Sequence, residues 1–118
     1  MKTNRLDLAA AVLMGPGRLK EVAVEIGLTA GQVRVLVGVV CLLKSYSTWI
    51  EVTELRAARL LAPTRLRAAT SALEAAGYLR RRRGKHRQHL LALTTTGREL
   101  ADTAIRAIQR AAKGFLLG

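Results

Sequence analysis

A dense run of cations is the part of this sequence best suited to chemistry. Residues 80–87 read RRRRGKHR, so six of the eight side chains carry a fixed positive charge. Apolar residues flank the run, with Tyr78 and Leu79 before it and the LLAL segment of residues 90–93 after it, and Gly84 interrupts it. This pattern is typical of a β-hairpin rather than of a basic tail. Such a hairpin can neutralise the phosphates of a nucleic acid along its tip and edges.

The segment just before this run, from Pro63 to Ala76, carries a second set of candidate contacts. Leu66 and Leu73 repeat at helical spacing and predict an apolar back, whereas the opposite face is small and polar. Small residues let a helix lie deep in the major groove, where an arginine can bond guanine at two atoms, worth about 1–3 kcal/mol of discrimination. Both arginines of this segment could instead contact phosphates only, and the sequence leaves that choice open. The contacts expected on this helix are Thr64, Arg65, Arg67, Ala68 and Ser71.

Further contacts are expected on either side of that helix. A short helix before Pro63 would contact a phosphate. The hairpin would lie along the backbone or enter the minor groove, whose narrow A·T-rich segments concentrate negative potential. Because alternate residues of a strand face opposite ways, about half of residues 80–82 would touch DNA and the rest would face solvent. The contacts expected in these two elements are Thr53, Arg56, Arg81, Arg83, Lys85, His86 and Arg87.

The composition supports a polyanionic partner. The chain has 118 residues, a formal net charge of +12 and a sequence pI of about 11.4. Residues 53–93 contain ten basic side chains and only two acids, Glu54 and Glu74, so about a third of the chain carries +8 of the +12. A charge so concentrated predicts nucleic-acid binding rather than an evenly solvated basic surface. The length suits one domain, and 50% hydrophobic with 3% aromatic residues predicts closely packed helices.

The sequence offers little for other kinds of chemistry. It contains no glycine-rich phosphate loop, no nucleophile–base constellation and no obvious pair of catalytic carboxylates, so we expect neither an enzyme nor a cofactor. His86 and His89 are spaced like a metal pair, but hydrogen bonding or DNA contact is the expected role and no metal site is predicted. Cys41 falls in an apolar segment, where inert packing is expected rather than redox sensing.

The cysteine count and the hydropathy pattern bear on location. A single cysteine excludes an internal disulfide and fits a reducing cytoplasm. No apolar stretch approaches the roughly 18 residues that a membrane span needs. Residues 1–5 lack the pattern of a secretory signal. We therefore expect a cytoplasmic protein, at the bacterial nucleoid, with no membrane partner.

Helices are predicted over the first part of the chain. Apolar residues at helical spacing predict one helix over about Asn4–Met14 and a second that stops at Gly27. Thr29 is expected to cap a central helix over Ala30–Lys44, which is apolar nearly all round and therefore buried. A short strand over Trp49–Val52 is predicted to follow it.

A helix-turn-helix is predicted next. Thr53 is expected to cap a short helix that runs to about Leu61, with Ala58 among its inward-facing residues. Pro63 suits the first turn of the longer helix described above. Two helices joined by a tight turn, the second with an apolar back and a polar front, match the helix-turn-helix plan.

The remaining elements complete the predicted fold. Strands over Tyr78–Arg82 and Arg87–Leu93 would pair with the strand at Ile50 in a small three-stranded sheet. A final helix is expected from Thr95 or its neighbour to about Lys113. The fold class is therefore mostly α with a small β-hairpin wing, a winged helix-turn-helix with helical elements at both ends.

The order of elements and certain residues resemble the MarR family of bacterial winged-helix regulators. The most specific matches are the Leu-Glu-x-x-Gly end of the longer helix, from Leu73 to Gly77, and the Leu-Thr-x-x-Gly exit from the hairpin, from Leu93 to Gly97. The resemblance covers about Leu28 to Leu100. It implies a homodimer on pseudo-palindromic DNA. In a single domain of residues 1–118, helices of residues 1–27 and 94–118 would interlock around a winged helix-turn-helix of residues 28–93.

Two departures from the family bear on function. The family usually has an aspartate two residues before the wing arginine matched here by Arg87, whereas this chain has Lys85. Any ion pair of that aspartate is therefore absent, and the wing is more cationic. The chain also has one obvious helix after the wing where the family commonly has two, which implies a reduced dimer interface and a reduced ligand pocket beside it.

Together these observations predict a sequence-specific regulator, a repressor more often than an activator, that binds double-stranded DNA as a homodimer. The helix of residues 63–76 would enter the major groove, and the wing of residues 80–90 would lie on the backbone or in the minor groove. The alternative is a low-specificity protein that coats, shapes or segregates DNA. RNA binding is less favoured because only Tyr78 could stack near the basic region. A small-molecule effector is compatible with the resemblance but not indicated by the sequence.

Overall fold

The computed structural model describes residues 16–45 and 47–117, with side chains described for residues 19–45 and 47–110. The helix predicted over Asn4–Met14 lies outside the described residues. The helices are α1 (Pro16–Ile26), α2 (Ala30–Leu42), α3 (Val52–Ala57), α4 (Pro63–Ala75) and α5 (Thr95–Leu117), and the strands are β1 (Ile50–Glu51), β2 (Leu79–Arg83) and β3 (His89–Leu93). This order confirms the predicted fold class.

Helix α2 lies at the centre of the fold, as predicted. Its N-terminus is closed by a capping box, in which the Gln32 amide donates to Thr29 Oγ1 (3.1 Å) and the Thr29 amide donates to Gln32 Oε1 (2.9 Å). The helix ends at Leu42 rather than Lys44, because Leu43 is already extended with ψ 131°. It contributes buried residues to both hydrophobic clusters of the described residues, Val33 and Val37 to one and Val35, Leu36 and Val39 to the other.

The first cluster joins the two ends of the described chain. Leu19, Val22 and Ala23 of α1 pack with residues 104–108 of α5 against α2. An exposed ion pair between Arg110 and Glu25 (3.2 Å) spans the same two helices. No single helix within residues 16–45 and 47–117 is long and apolar enough to cross a membrane; α1 and α2 together have the length and composition but are bent by 93°.

The second cluster holds the helix-turn-helix, and here two expectations are wrong. The residue that caps α3 is Glu51, whose amide donates to Glu54 Oε1 (3.3 Å), so Thr53 already lies inside the helix. Helix α3 also stops at Ala57 instead of Leu61. Arg59 follows in the left-handed region with φ 54°, which turns the chain before a further helical turn can form.

That turn changes which residue is buried. Ala58, expected to face inward, is exposed, whereas Leu60 is half-buried and packs against both clusters. Leu60 reaches the core over Gly38 of α2, where a Cβ atom would overlap its terminal methyl group. Helix α4 then begins at Pro63, as predicted, and ends at Ala75, just before Gly77 with φ 84°.

The predicted three-stranded sheet is present, and its strands are antiparallel in the order β1-β3-β2. Ile50 pairs with Leu91, and Leu79 pairs with Leu93, so that the apolar ends of all three strands meet over α4. The strand predicted over Trp49–Val52 is only Ile50–Glu51, because α3 begins at Val52. The wing strands are shifted from prediction, to residues 79–83 and 89–93, because Arg87 belongs to the turn.

Candidate nucleic-acid interface

The exposed face of α4 has the composition expected of a helix that enters a groove. Leu66, Ala69, Thr70 and Leu73 are buried, and the Thr70 hydroxyl is satisfied by the carbonyl oxygen of Leu66 at 2.7 Å. The opposite face consists of exposed small or polar residues, among them the predicted contacts Thr64, Ala68 and Ser71. No long side chain therefore stands between this face and a partner.

The two arginines of α4 lie on opposite flanks of that face. At 100° per residue, Arg67 falls on the side of Glu74, one heptad further on, and Arg65 falls on the other side. Arg65 and Ala68 line an open groove of about 520 Å³ between α4 and the start of α2. Arg34 of α2 lines the same groove and donates from Nη1 to the Leu60 carbonyl oxygen at 3.2 Å. Sequence reasoning missed Arg34, whose neighbours along α2 are nearly all apolar.

The wing tip holds its cations in a tight turn. The Gly84 amide donates to the Gln88 carbonyl (2.9 Å), and the Arg87 amide donates to the Gly84 carbonyl (3.1 Å). Gln88 also accepts from the His86 amide at 2.8 Å. Arg87 takes a left-handed conformation with φ 61°, a position that normally favours glycine. The side chains of Arg83, Lys85, His86 and Arg87 are all exposed.

Arg81, predicted as a DNA contact, has a protein partner that the sequence did not reveal. Its guanidinium donates to Glu74 Oε1 from Nη2 (2.7 Å) and from Nε (3.0 Å), with 34% and 28% of the two side chains exposed. Glu74 lies in the last turn of α4 and Arg81 lies in β2, so the ion pair joins α4 to the wing. Its geometry gives Arg81 a role in orienting the wing.

Arg80 and Arg82 are also held by a partner that sequence reasoning missed. Their guanidinium carbons lie 4.9 Å and 4.3 Å from the ring centroid of Trp49, at distances typical of cation–π contacts. Trp49 was predicted only as the start of a strand. The signal that could have found it is a lone tryptophan in a strand expected to share a small sheet with an arginine-rich strand.

The short helix α3 presents the last two predicted contacts. Thr53 and Arg56 are both exposed. The acids of this region are already engaged inside the protein, Glu54 with the Glu51 amide and Glu74 with Arg81. In the described part of the molecule no ion pair neutralises Arg56, Arg65, Arg67 or the cations of the wing tip. The surface formed by α3, α4 and the wing is therefore strongly positive.

The residues considered for metal or redox chemistry lie on different elements. His86 is in the wing turn and His89 in β3, and both are exposed. Cys41 is half-buried and packs against the cluster of α1 and α5. Within the residues described, no group of three or more His, Cys, Asp or Glu side chains could hold a metal ion.

The architecture was compared with known proteins. No protein-family model and no curated protein matches the sequence. Solved structures do match. A MarR-family transcriptional regulator from a Rhodococcus species is 24% identical with a TM-score of 0.73, over 96% of this chain and 76% of that one. A MarR-family protein of Mycobacterium tuberculosis, in complex with p-aminosalicylic acid, is 26% identical with a TM-score of 0.63, over 95% and 79%. The chain has the MarR-family fold.

A third similar structure is a complex with DNA. A mutant of MarR from E. coli, complexed with operator DNA, is 22% identical with a TM-score of 0.64, over 78% of this chain and 64% of that one. This chain is thus shorter than the MarR-family structures it matches. The resemblance inferred from sequence motifs is confirmed at the level of the fold.

The two motifs that carried the resemblance meet at one junction of the MarR-family fold. Thr94 Oγ1 donates to the Gly77 carbonyl (2.6 Å) and accepts from the Gly97 amide (3.0 Å), so one hydroxyl joins the end of α4 to the start of α5. A Cβ atom on Gly97 would overlap the carbonyl oxygen of Tyr78. The junction fixes the position of the wing relative to α4 and α5.

Proposed function

We propose that this protein is a transcriptional regulator that binds double-stranded DNA and is not an enzyme. The observation that carries the proposal is the exposed face of α4, small and polar, flanked by Arg65 and Arg67 and adjoined by a cationic wing. A helix of this composition fits the major groove, and exposed cations beside it fit the phosphates. The MarR-family fold supports the same function, since the compared structures are described as transcriptional regulators or MarR-family proteins.

The proposed contacts divide into two kinds. Helix α4 would lie in the major groove, with Thr64, Ala68 and Ser71 against base edges or phosphates and an arginine on each flank. The wing of residues 80–90 would lie on the backbone or in the minor groove and supply most of the affinity. Thr53 and Arg56 of α3 would rest on a phosphate. All twelve residues predicted from the sequence as contacts are exposed, as direct contact requires, and one of them, Arg81, is already paired with Glu74.

The proposal includes a homodimer on a pseudo-palindromic site. In helix-turn-helix dimers the two recognition helices reach half-sites about one turn of DNA apart, about 34 Å, so the site mirrors the symmetry of the protein. Helices α1 and α5, which already pack together, are the elements proposed to form the interface. Such a regulator would act in the cytoplasm, at the nucleoid, and as a repressor when its site overlaps a promoter.

A second function is favoured by one observation, the unusual charge of the wing. Lys85 stands where the resembling family usually has an aspartate, and no ion pair in the described part of the wing tip neutralises it. A wing of this kind binds phosphates irrespective of sequence. The alternative is therefore a low-specificity protein that coats, organises or segregates DNA.

Selection of bound duplexes from a random pool, followed by footprinting, distinguishes these functions. A regulator is expected to enrich a palindromic consensus and to protect one site on DNA that contains it. Protection that spreads from any starting point, with no enriched sequence, would replace the regulator by the coating protein. Failure of the purified protein to retain any duplex at moderate salt would exclude both.

A further inference from the structure

We infer that Trp49, Arg80 and Arg82 form a binding site for two backbone phosphates of duplex DNA, one for each arginine, on the outer face of the wing. The inference rests on the proposed DNA binding and adds a site to it. Residues two apart in a strand face the same way, so Arg80 and Arg82 share one face of β2. Both guanidinium groups lie over the ring of Trp49, at 4.9 Å and 4.3 Å from its centroid to their central carbons.

The position of Trp49 follows from the sheet order. β3 lies between β1 and β2, so a residue just before β1 can touch β2 only by reaching across β3. Ala92 of β3 pairs with Arg80 and is 1% exposed, as expected if the indole ring covers it. The backbone of Trp49 is anchored on both sides, because its amide donates to Ser47 Oγ (3.1 Å) and its carbonyl oxygen accepts from the same hydroxyl (3.1 Å).

The site carries two positive charges and therefore favours an anionic ligand. Neither Arg80 nor Arg82 forms an ion pair with a carboxylate within residues 19–45 and 47–110, and both are exposed. Two cations on one ring repel each other, and the negative face of the indole offsets that repulsion only in part. An arginine stacked on an aromatic ring keeps the N–H groups at the edge of its planar head free for a phosphate. Trp49 is therefore a positioning residue for two phosphate donors.

The alternation along β2 then assigns a different role to each face of the strand. Arg81 is paired with Glu74 and faces α4. Arg80 and Arg82 face the other way, toward Trp49. The wing tip beyond them carries Lys85 and Arg87 toward a groove, so the pair on the outer face would meet the phosphates that border that groove. Backbone phosphate of duplex DNA is accordingly the ligand that the location favours.

The test compares Trp49→Leu, Trp49→Phe and the double variant Arg80→Ala/Arg82→Ala on a labelled duplex of mixed sequence. The control is Lys44→Ala, which removes an exposed charge that lies outside the proposed DNA contacts and outside the two helices proposed to form the dimer interface. We expect the slope of log Kd against log salt to fall by about 2 in Arg80→Ala/Arg82→Ala, because each phosphate contact contributes about 0.9, and to stay unchanged in the control. Trp49→Leu should lose about 1 unit of slope and bind about fivefold more weakly, with Trp49→Phe close to the parent protein.

A second readout is available because Trp49 is the single tryptophan of the chain. Its fluorescence should change as duplex DNA is added, and the midpoint of this change should coincide with the midpoint of the binding curve. The change should be lost in Arg80→Ala/Arg82→Ala. Circular dichroism checks that each variant is folded; if Trp49→Leu is not, Trp49→Phe and the arginine variant carry the test.

The inference is overturned if Trp49→Leu keeps the parent slope and affinity, or if the arginine variant behaves like the control. It is also overturned if inorganic phosphate at matched ionic strength changes the fluorescence and DNA does not. In these cases DNA binding by the parent protein is retained, so the proposed function stands. Absence of duplex binding by the parent protein would instead remove the proposed function and the site with it.

Discussion

Arg81 in the wing and Glu74 in the last turn of α4 form an ion pair of 2.7 Å. The pair connects the two elements proposed to bind neighbouring grooves, so it sets the angle between them. It also removes one acid and one cation from the binding surface at once. The neighbouring cation on the same face of β2, Arg83, has no such partner among the described ion pairs.

This difference predicts separate effects of Arg81→Ala and Arg83→Ala. Arg83→Ala should reduce the salt slope of DNA binding by about 1, as expected for loss of one phosphate contact. Arg81→Ala should change the slope by much less and should lower stability by about 0.2–1 kcal/mol, the range measured for partly exposed ion pairs. Salt titrations of DNA binding measure the slope, and urea unfolding measures the stability of the two variants. An equal loss of slope in the two variants would make Arg81 a direct phosphate contact.

Arg87 offers a test in which stability and binding move in opposite directions. Its left-handed backbone costs a non-glycine residue about 1 kcal/mol. Arg87→Gly should therefore stabilise the protein by about that amount while weakening DNA binding. Arg87→Ala, the control, should weaken binding equally without the gain in stability. Unchanged affinity in both variants would remove Arg87 from the interface, and no gain in stability in Arg87→Gly would show that the turn is not strained.

Gly97 is predicted to be indispensable to the junction of α4, the wing and α5. The Gly97→Ala substitution places a methyl group onto the Tyr78 carbonyl, which is backbone and can move only with the end of α4. We expect a loss of about 1–3 kcal/mol in the free energy of unfolding. Gly31→Ala is the matched control, because its Cβ would lie 3.5 Å from Leu61, an ordinary contact, and alanine favours a helix. Equal stability of the two variants in urea would contradict the close approach.

The flanking positions of Arg65 and Arg67 predict how each shapes sequence preference. If Arg67 reads a base, Arg67→Ala should lower affinity for the selected sequence by a factor equivalent to about 1–3 kcal/mol and leave unrelated duplexes much less affected. An arginine that contacts only phosphate should weaken binding uniformly when replaced. Competition between selected and scrambled duplexes, run for Arg65→Ala and Arg67→Ala side by side, measures this. Uniform losses in both variants would favour the coating protein.

The elements that were predicted correctly depend on local signals. Thr29, Pro63 and Gly77 begin or end helices through bonds or backbone preferences within a few residues, and the structure confirms each. The errors occur where distant packing decides. Helix α3 ends four residues earlier than expected, at Ala57 and not Leu61, because the left-handed turn at Arg59 allows Leu60 to reach the space over Gly38.

The candidate site shows the same division between local and distant effects. The exposure of the α4 face and of the wing tip follows from periodicity and charge, so these residues were predicted correctly as surface residues. The partners of Arg80, Arg81 and Arg82 could not be predicted. Glu74 lies on another element and Trp49 far back in the sequence, and their contacts depend on strand register and on the orientation of α4.

The most direct test of the account is the salt dependence of duplex DNA binding by the unmodified protein. At least four cations of α3, α4 and the wing are proposed to contact phosphates. The slope of log Kd against log salt should then be at least about 3.6 in magnitude, since each phosphate contact contributes about 0.9. Arg83→Ala/Lys85→Ala should lower it by about 2. A nearly flat salt dependence, or a slope that the double variant leaves unchanged, would contradict the claim that this surface binds DNA through its cations.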